Sequence, residues 1–257
     1  MAPAALALSA CATTAPPAAK PIGNPAGIES GTLSQPGEVA VPRDGDPAKL
    51  ARLIEQLEQR ANGAADPRAL SALAEAHFVM AESIAVLGWK DQGEAPAHYA
   101  ASTRAAEAAL TAAAGDPVAT YWLAASRCAS AELEGFAAIV QTQASARAML
   151  SEVARLAPQI DRGGAHRLLA SFAAHPAHPS LRDLELARQH ADAALQVDAR
   201  AAANVIAFVE HYAVPAQNRA ALEDKRKQLV EHSSATDDAV AALRAGQLAA
   251  TIEDRLE

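Results

Sequence analysis

Two adjacent cations, His166 and Arg167, are the residues of this chain that most resemble a ligand-binding pair, and they follow the glycine pair Gly163-Gly164. The glycines are expected to begin a helix, and a cation in the first turn of a helix is disfavoured by the helix dipole unless something compensates it. An anionic or hydroxyl head group of a ligand would supply that compensation. An ion pair with Asp161 or with a neighbouring helix would also do so, and the sequence leaves both readings open.

Three aromatic side chains are further candidates for ligand contact. Tyr121 and Trp122 are adjacent, so on one helix they point about 100° apart and at most one can face a ligand while the other packs between helices. Tyr212 is expected near a helix C-terminus, where ligand binding and packing between repeats are both possible. The predicted ligand-binding residues are therefore Tyr121, Trp122, His166, Arg167 and Tyr212.

The sequence predicts neither a metal site nor a catalytic centre. His175 and His178 could bracket a metal ion, but a site needs three or four ligands and no acidic or cysteine partner lies close in sequence. Cys128 stands alone in a helical pattern, which favours a buried structural thiol. The chain contains no nucleophile elbow, Walker loop, zinc-protease motif or dinucleotide fingerprint. We therefore expect a protein without enzymatic activity and without a cofactor.

The segment Leu8-Ser9-Ala10-Cys11 resembles the signal of a bacterial lipoprotein, in which lipidated Cys11 becomes the mature N-terminus. Residues 1–10 are then the signal peptide, and residues 11–45, rich in Pro, Ala and Gly, form a disordered tether. Because such signals begin with Lys or Arg and residues 1–8 have neither, we expect the true start to lie upstream. Ala12 in place of Asp predicts attachment to the outer membrane, facing the periplasm. The alternative is an alanine-rich tail with a chance cysteine.

Composition limits the fold that can position these residues. The 257 residues include 70 alanines and carry a formal net charge of −8. Alanine is the best helix former, and β-branched and aromatic residues are too few for many strands, so we predict an all-α protein packed through small residues. The acidic balance shows no electrostatic footprint for nucleic acid.

Helix signals fill residues 46–257 and predict ten helices. Asp46-Pro47, Asp66-Pro67 and Asp116-Pro117 each combine an N-cap with proline at the first helical position. Glycine or proline follows most of the apolar stripes and ends the corresponding helices. One helical domain therefore follows the tether.

A repeat of 41 residues relates three of these helices. Pro117, Pro158 and Ala199 are spaced by 41 residues, and each follows small or apolar residues at offsets of 12, 8 and 5. Those offsets are typical of the second helix of a tetratricopeptide repeat, which normally runs to about 34 residues. We predict degenerate, lengthened repeats. Their antiparallel helix pairs would stack into a curved body with a concave face or a central channel.

Several strings together resemble the T-component family of tripartite ATP-independent periplasmic transporters. They are the lipoprotein signal, the tether, the helical repeats, Asp116-Pro117-Val118-Ala119-Thr120-Tyr121-Trp122-Leu123-Ala124 and Gly163-Gly164-Ala165-His166-Arg167-Leu168-Leu169-Ala170. The later stretch 186–212 is similar to that family's later repeat. The resemblance implies a lipid-anchored periplasmic helical protein that works beside a periplasmic solute-binding protein. It also implies a channel or groove for a hydrophobic, lipid or sterol-like ligand.

Two functions remain open at this stage. The first is a transport accessory that binds or hands over a hydrophobic ligand; the second is a helical-repeat scaffold for protein–protein interaction in the periplasm. An enclosed apolar cavity would favour the first function. An open groove lined by polar or charged residues would favour the second.

Overall fold

Ten α-helices account for most of the folded chain. A computed structural model describes residues 39–63, 66–88, 92–175 and 179–256, and all regular structure in those ranges is helical. The prediction of an all-α protein with ten helices is confirmed. The helices are α1 (Pro47–Gly63), α2 (Pro67–Leu87), α3 (Ala95–Ala112), α4 (Pro117–Glu134), α5 (Phe136–Leu156), α6 (Gly164–Ala174), α7 (Leu184–Val197), α8 (Ala202–Phe208), α9 (Arg219–Ala235) and α10 (Ala239–Leu256).

The predicted start signals operate as expected. The Asp66 carboxylate accepts a hydrogen bond from the Arg68 amide at the start of α2, and Asp116 accepts one from the Val118 amide at the start of α4. Each aspartate satisfies a backbone N–H that has no partner within its helix. Pro67 and Pro117 occupy the adjoining first positions, where the missing N–H costs nothing.

The folded body begins earlier than the predicted tether boundary at residue 45. Val39 and Val41 pack against apolar side chains of the core, and Arg43 is half-buried in a set of ion pairs. Residues 39–45 therefore belong to the folded body. Residues 1–38, which include Cys11, lie outside the described part of the chain, so the signal peptide and the lipid anchor stay predictions.

Consecutive helices pack against each other, and alternate helices form an inner ring. Helix α2 contacts α4, α4 contacts α6, α6 contacts α8 and α8 contacts α10. Helix α10 in turn contacts α2, which closes the ring. Helices α3, α5 and α7 each pack on the inner helix that precedes them. The space inside the ring is therefore bordered by five helices from distant parts of the sequence.

Two large apolar clusters support the ring. The first contains buried residues of α1 to α6, from Leu50 to Leu169, and the second extends from Ala170 to Ile252. Helix α2 is long and apolar enough to cross a membrane by composition, but 61% of its most apolar window is buried inside the first cluster. Burial of α2 in the core thus accounts for the high hydropathy of this helix. The boundary between the two clusters falls within α6, between Leu169 and Ala170.

Candidate ligand-binding cavity

A cavity of about 440 Å³ lies inside the ring of inner helices. Its volume is within the range of roughly 300–1,000 Å³ that is usual for small-molecule sites. All five inner helices contribute to its wall. The apolar part of the wall includes Phe78, Val79, Leu168 and Ile206. The charged part includes Arg43, Glu82, Glu132, Asp161, Arg167, Glu210, Asp238 and Arg244.

Asp161 is the centre of a buried polar cluster at the cavity wall. Its carboxylate accepts hydrogen bonds from the Tyr121 hydroxyl at 2.6 Å, from Arg167 Nη2 at 2.5 Å and from Arg43 Nη2 at 2.9 Å. Burial alone would raise the pKa of Asp161, but Arg167, Arg43 and the Tyr121 hydroxyl outweigh burial and hold the pKa below its ordinary value. The carboxylate is therefore ionised and fully engaged.

Arg167 extends this cluster to α8. Its Nη1 donates to the Asp161 carbonyl oxygen at 2.9 Å and to Asn204 Oδ1 at 2.8 Å. The Asn204 amide nitrogen lies 2.8 Å from the carbonyl oxygens of Arg162, Ala194 and Asp198. Backbone acceptors beside the start of α6 and at the end of α7 share the two N–H groups of this amide, as buried polar groups require. We call Arg43, Tyr121, Asp161, Arg167 and Asn204 the Asp161 cluster.

The glycine pair explains how the Asp161 cluster fits into the fold. Asp161, Arg162 and Gly163 have φ values of 47°, 55° and 99°, so the chain makes a left-handed turn immediately before α6. Gly164 lies directly against the Tyr121 hydroxyl, and an added Cβ would collide with that hydroxyl. Absence of a side chain at residue 164 therefore gives the phenol room to reach Asp161.

The structure brings two of the predicted ligand residues, Tyr121 and Arg167, together at the cavity. Between the two readings of Arg167, the ion pair with Asp161 is present. Burial, followed by the charge of Asp161, raises the pKa of Tyr121 well above its ordinary value, so the phenol stays protonated and donates its hydrogen bond. Both side chains are held by protein groups.

The other predicted residues lie away from the cavity wall. Trp122 is 2% exposed and packs against Phe78 and Tyr121, and its Nε1 has no hydrogen-bond partner among the described residues. The His166 ring pairs with His190, with 3.2 Å between their Nδ1 atoms. Tyr212 stacks edge-on against Phe208 in the second apolar cluster.

The histidines considered for a metal site are not arranged as one in the described residues. His175 is exposed and its ring centroid lies 5.5 Å from that of His211, while His178 falls outside the described residues. Over residues 39–63, 66–88, 92–175 and 179–256, no group of three or more His, Cys, Asp or Glu side chains has a geometry that could hold a metal ion.

A second charged region of the cavity wall lies further along α4, beyond Tyr121. Glu132 is eleven residues beyond Tyr121, which corresponds to roughly 16 Å of helix. Glu82 and Glu210 line the same cavity from α2 and from the π-helical turn Val209–Ala213 that continues α8. Glu82 accepts a hydrogen bond from the Tyr99 hydroxyl and lies 3.8 Å from Arg244. We call Glu82, Glu132 and Glu210 the glutamate region.

Glu132 and Glu210 differ from Asp161 because they make no hydrogen bond or ion pair within 4 Å among the described residues. Burial raises the pKa of Glu132, Glu82 raises it further, and Arg244 opposes both effects. Burial likewise raises the pKa of Glu210 against the effect of Arg244. The glutamate region thus carries more negative charge than its single arginine balances.

Sequence reasoning missed most of these partners. Arg43 was assigned to the tether, and Asn204 and the glutamate region were not singled out. The one available signal was the close spacing of Asp161 and Arg167, which indicated the ion pair. Nothing in the sequence distinguished Glu132 and Glu210 from other acidic residues, because Asp and Glu on helices are most often solvated.

Comparison with known proteins adds no relative to this description. No known protein family matches the chain, and no curated protein is significantly similar to it.

Proposed function

We propose that this protein is a non-enzymatic accessory of a periplasmic transport system, anchored by lipid at Cys11, whose central cavity binds an amphipathic small molecule. Such a protein would hold its ligand or pass it to a periplasmic solute-binding protein. The resemblance to the T-component family of tripartite ATP-independent periplasmic transporters motivates the transport role. The closed ring of inner helices around a 440 Å³ cavity is the observation that carries the binding role.

We also propose that the helices are degenerate tetratricopeptide-like repeats. Residues 105, 146 and 187, separated by 41 residues each, are all buried, and so are residues 109, 150 and 191. Equivalent burial at the predicted period is expected of stacked repeat units. The third set fits less well, since Ala112 is exposed whereas Val153 and Ala194 are buried.

The charges of the wall favour a cationic head group on the ligand. In the Asp161 cluster every carboxylate oxygen already has a protein donor, and the two arginines face three carboxylates, those of Asp161, Glu75 and Asp238, so no unpaired cation is left for an anionic ligand. In the glutamate region, Glu132 and Glu210 face the cavity without an ion partner within 4 Å. Both glutamates are exposed at the surface of the cavity, so an ammonium group beside them would neutralise charge in a site that keeps contact with water. The apolar wall would cover the rest of the ligand.

Three molecules with the same chain test this proposal: octylamine, octanol and octanoate, titrated by calorimetry into the purified protein. Octylamine should bind about tenfold more tightly than octanoate, with octanol between them. Glu132→Gln and Glu210→Gln should each weaken octylamine binding about twofold to fivefold and leave octanol unchanged. Glu134→Gln is the matched control, because Glu134 lies two residues from Glu132 but not in the cavity wall. Equal binding of octylamine and octanoate would contradict the cationic head group.

The second candidate is a protein-interaction scaffold. The charged, solvent-open wall of the cavity favours it, and so does one surface feature. Leu133, Phe136 and Val140 are 56%, 68% and 45% exposed where α4 ends and α5 begins. Neighbouring exposed apolar side chains are typical of a surface that another protein covers. Phe136→Ser with Val140→Ser should then abolish cross-linking to a periplasmic partner while octylamine binding persists. Failure of all three octyl compounds to bind, together with that loss, would favour the scaffold.

A further inference from the structure

One contact in the ring of inner helices differs from the other four. Around most of the ring, neighbouring helices share buried apolar residues of the same cluster. Helix α2 belongs to the first apolar cluster, whereas the buried residues of α10 belong to the second. We call the contact between α2 and α10 the seam. No described apolar cluster crosses it.

The seam is held by polar groups, and Arg43 provides most of them. The Arg43 carbonyl oxygen accepts a hydrogen bond of 2.9 Å from the Ala239 amide at the start of α10. The Arg43 guanidinium lies 3.1 Å from Glu75 on α2 and 3.7 Å from Asp238, the residue before α10. Further along α10, Arg244 lies 3.8 Å from Glu82 on α2. Arg43 thus links both sides of the seam.

These links are weak compared with the rest of the ring. The side chains of Arg43 and Asp238 are 30% and 21% exposed, and those of Arg244 and Glu82 are 48% and 23% exposed. Ion pairs with this exposure and length change an equilibrium by at most about fivefold, and salt screens them. Separation at any other contact of the ring would expose apolar side chains of a shared cluster to water.

The seam also borders the cavity. Arg43, Glu82, Asp238 and Arg244, which form the ion pairs across it, all line the cavity wall. The cavity already meets the surrounding medium, since the lining residues Glu132, Glu210 and Arg244 are exposed. Separation of α10 from α2 would widen this opening along the seam without disrupting either apolar cluster. The residues of the ion pairs across the seam hold it closed and contact the space where a ligand would lie.

We infer that the seam between α2 and α10 opens to admit and release the ligand of the central cavity. We call the contacts of Arg43 with Asp238 and Ala239, which hold the seam closed, the latch. This inference rests on the proposed function for the existence of a ligand, but opening of the seam can be measured without one. Population of an open state is expected to rise when the polar links are removed.

Two variants weaken the latch by different routes. Ala239→Pro removes the N–H that binds the Arg43 carbonyl, and proline is well tolerated at the first position of a helix. Asp238→Asn removes the charge facing Arg43 but keeps an oxygen for the Ala241 amide, which Asp238 caps at 2.9 Å. The control for Ala239→Pro is Phe136→Pro, which places proline at the first position of α5. The control for Asp238→Asn is Asp183→Asn, because the Asp183 carboxylate caps the Leu186 amide at the start of α7.

Stopped-flow fluorescence with dansylcadaverine, an amine with an apolar fluorescent body, measures ligand passage. Ala239→Pro and Asp238→Asn should raise its association and dissociation rates about twofold to fivefold, and Ala239→Pro should leave Kd within about twofold. Both control variants should have wild-type rates. An increase in the wild-type rates between 50 mM and 1 M NaCl is also expected. Unchanged rates in both seam variants would overturn the inference.

Hydrogen exchange followed by mass spectrometry measures the seam itself. Peptides from α2 and α10 should exchange faster in both seam variants than in the wild type, while α4 and α6 stay unchanged. If dansylcadaverine does not bind to the wild type, the proposed function fails and exchange alone decides the seam. Faster exchange confined to α2 and α10 would then support opening, and unchanged or uniformly faster exchange would overturn it.

Discussion

The Tyr121 hydroxyl donates a hydrogen bond of 2.6 Å to the carboxylate of Asp161, forty residues further along the chain. This contact links α4 to the turn before α6, and it exists because Gly164 leaves space for the phenol. The same carboxylate binds Arg43 and Arg167. One acidic group therefore connects the start of the folded body with two inner helices.

Loss of the Asp161 charge should destabilise the protein strongly. Asp161→Asn keeps a residue that tolerates the positive φ of 47°, so the change removes charge with little effect on the backbone. Two partly buried arginines lose their shared partner, and the expected cost is about 3 kcal/mol in the free energy of unfolding. Asp198→Asn is the control, because its ion pair with Arg162 lies at the surface and should cost less than about 1 kcal/mol. Urea denaturation followed by circular dichroism measures both.

A methyl group at residue 164 should be costly as well. Gly164→Ala forces a Cβ against the Tyr121 hydroxyl, and overpacking of this kind costs about 1–3 kcal/mol. Gly246→Ala in α10 is the matched change, since its Cβ would meet Ser233 Cβ at an ordinary 3.6 Å. There the better helix propensity of alanine should stabilise the protein by up to about 1 kcal/mol. Equal thermal stability of the two variants would show that the phenol does not need the space.

Stability should fall as the pH is lowered from about 6.5 to about 4, because several histidines are buried in their neutral form. Burial, together with His98 and Arg104, lowers the pKa of His77 to about 4, and burial with His166 and Arg147 lowers that of His190 to about 4. The unfolded chain takes up these protons at higher pH than the folded chain does. The contribution of the neutral histidines to stability is thus complete above pH 6.5 and is lost on acidification. The free energy of unfolding should fall by up to about 1.4 kcal/mol per pH unit for each proton.

His77→Gln tests this pH dependence. Urea midpoints measured between pH 7 and pH 4 should fall less steeply for the variant than for the wild type, whatever its stability at pH 7. His232→Gln is the control for the substitution itself, because His232 belongs to none of the described histidine pairs. A slope identical in all three proteins would contradict a contribution from His77.

Cys11→Ser tests the predicted anchor. The serine hydroxyl is not nucleophilic enough at neutral pH to accept the lipid, so the variant should move from the membrane fraction to the soluble periplasmic fraction. Cell fractionation with immunoblotting measures the distribution. Cys128→Ser, at a buried thiol within the fold, should leave it unchanged. Retention of the Cys11 variant in the membrane would refute the lipoprotein prediction.

Local patterns predicted the helices well, because each signal acts within one turn of the residues that carry it. The N-caps Asp66 and Asp116 lie where the sequence placed them, and Tyr121 and Arg167 do face the cavity. The contact of Arg43 with Asp161 spans 118 positions, and no local pattern encodes it. The closure of α10 on α2 likewise depends on small rotations accumulated over every helix pair.

Closure of the ring also limits how this protein can change in size. An open stack of helical repeats can gain or lose a unit at little cost, because each unit contacts only its neighbours. Here an additional helix pair would displace α10 from α2, separate Ala239 from the Arg43 carbonyl and leave the ion pairs of Arg43 and Arg244 unmade. An inserted helix pair would therefore cost the contacts of the seam and the wall that α10 supplies to the cavity, and insertions are best tolerated in the loops.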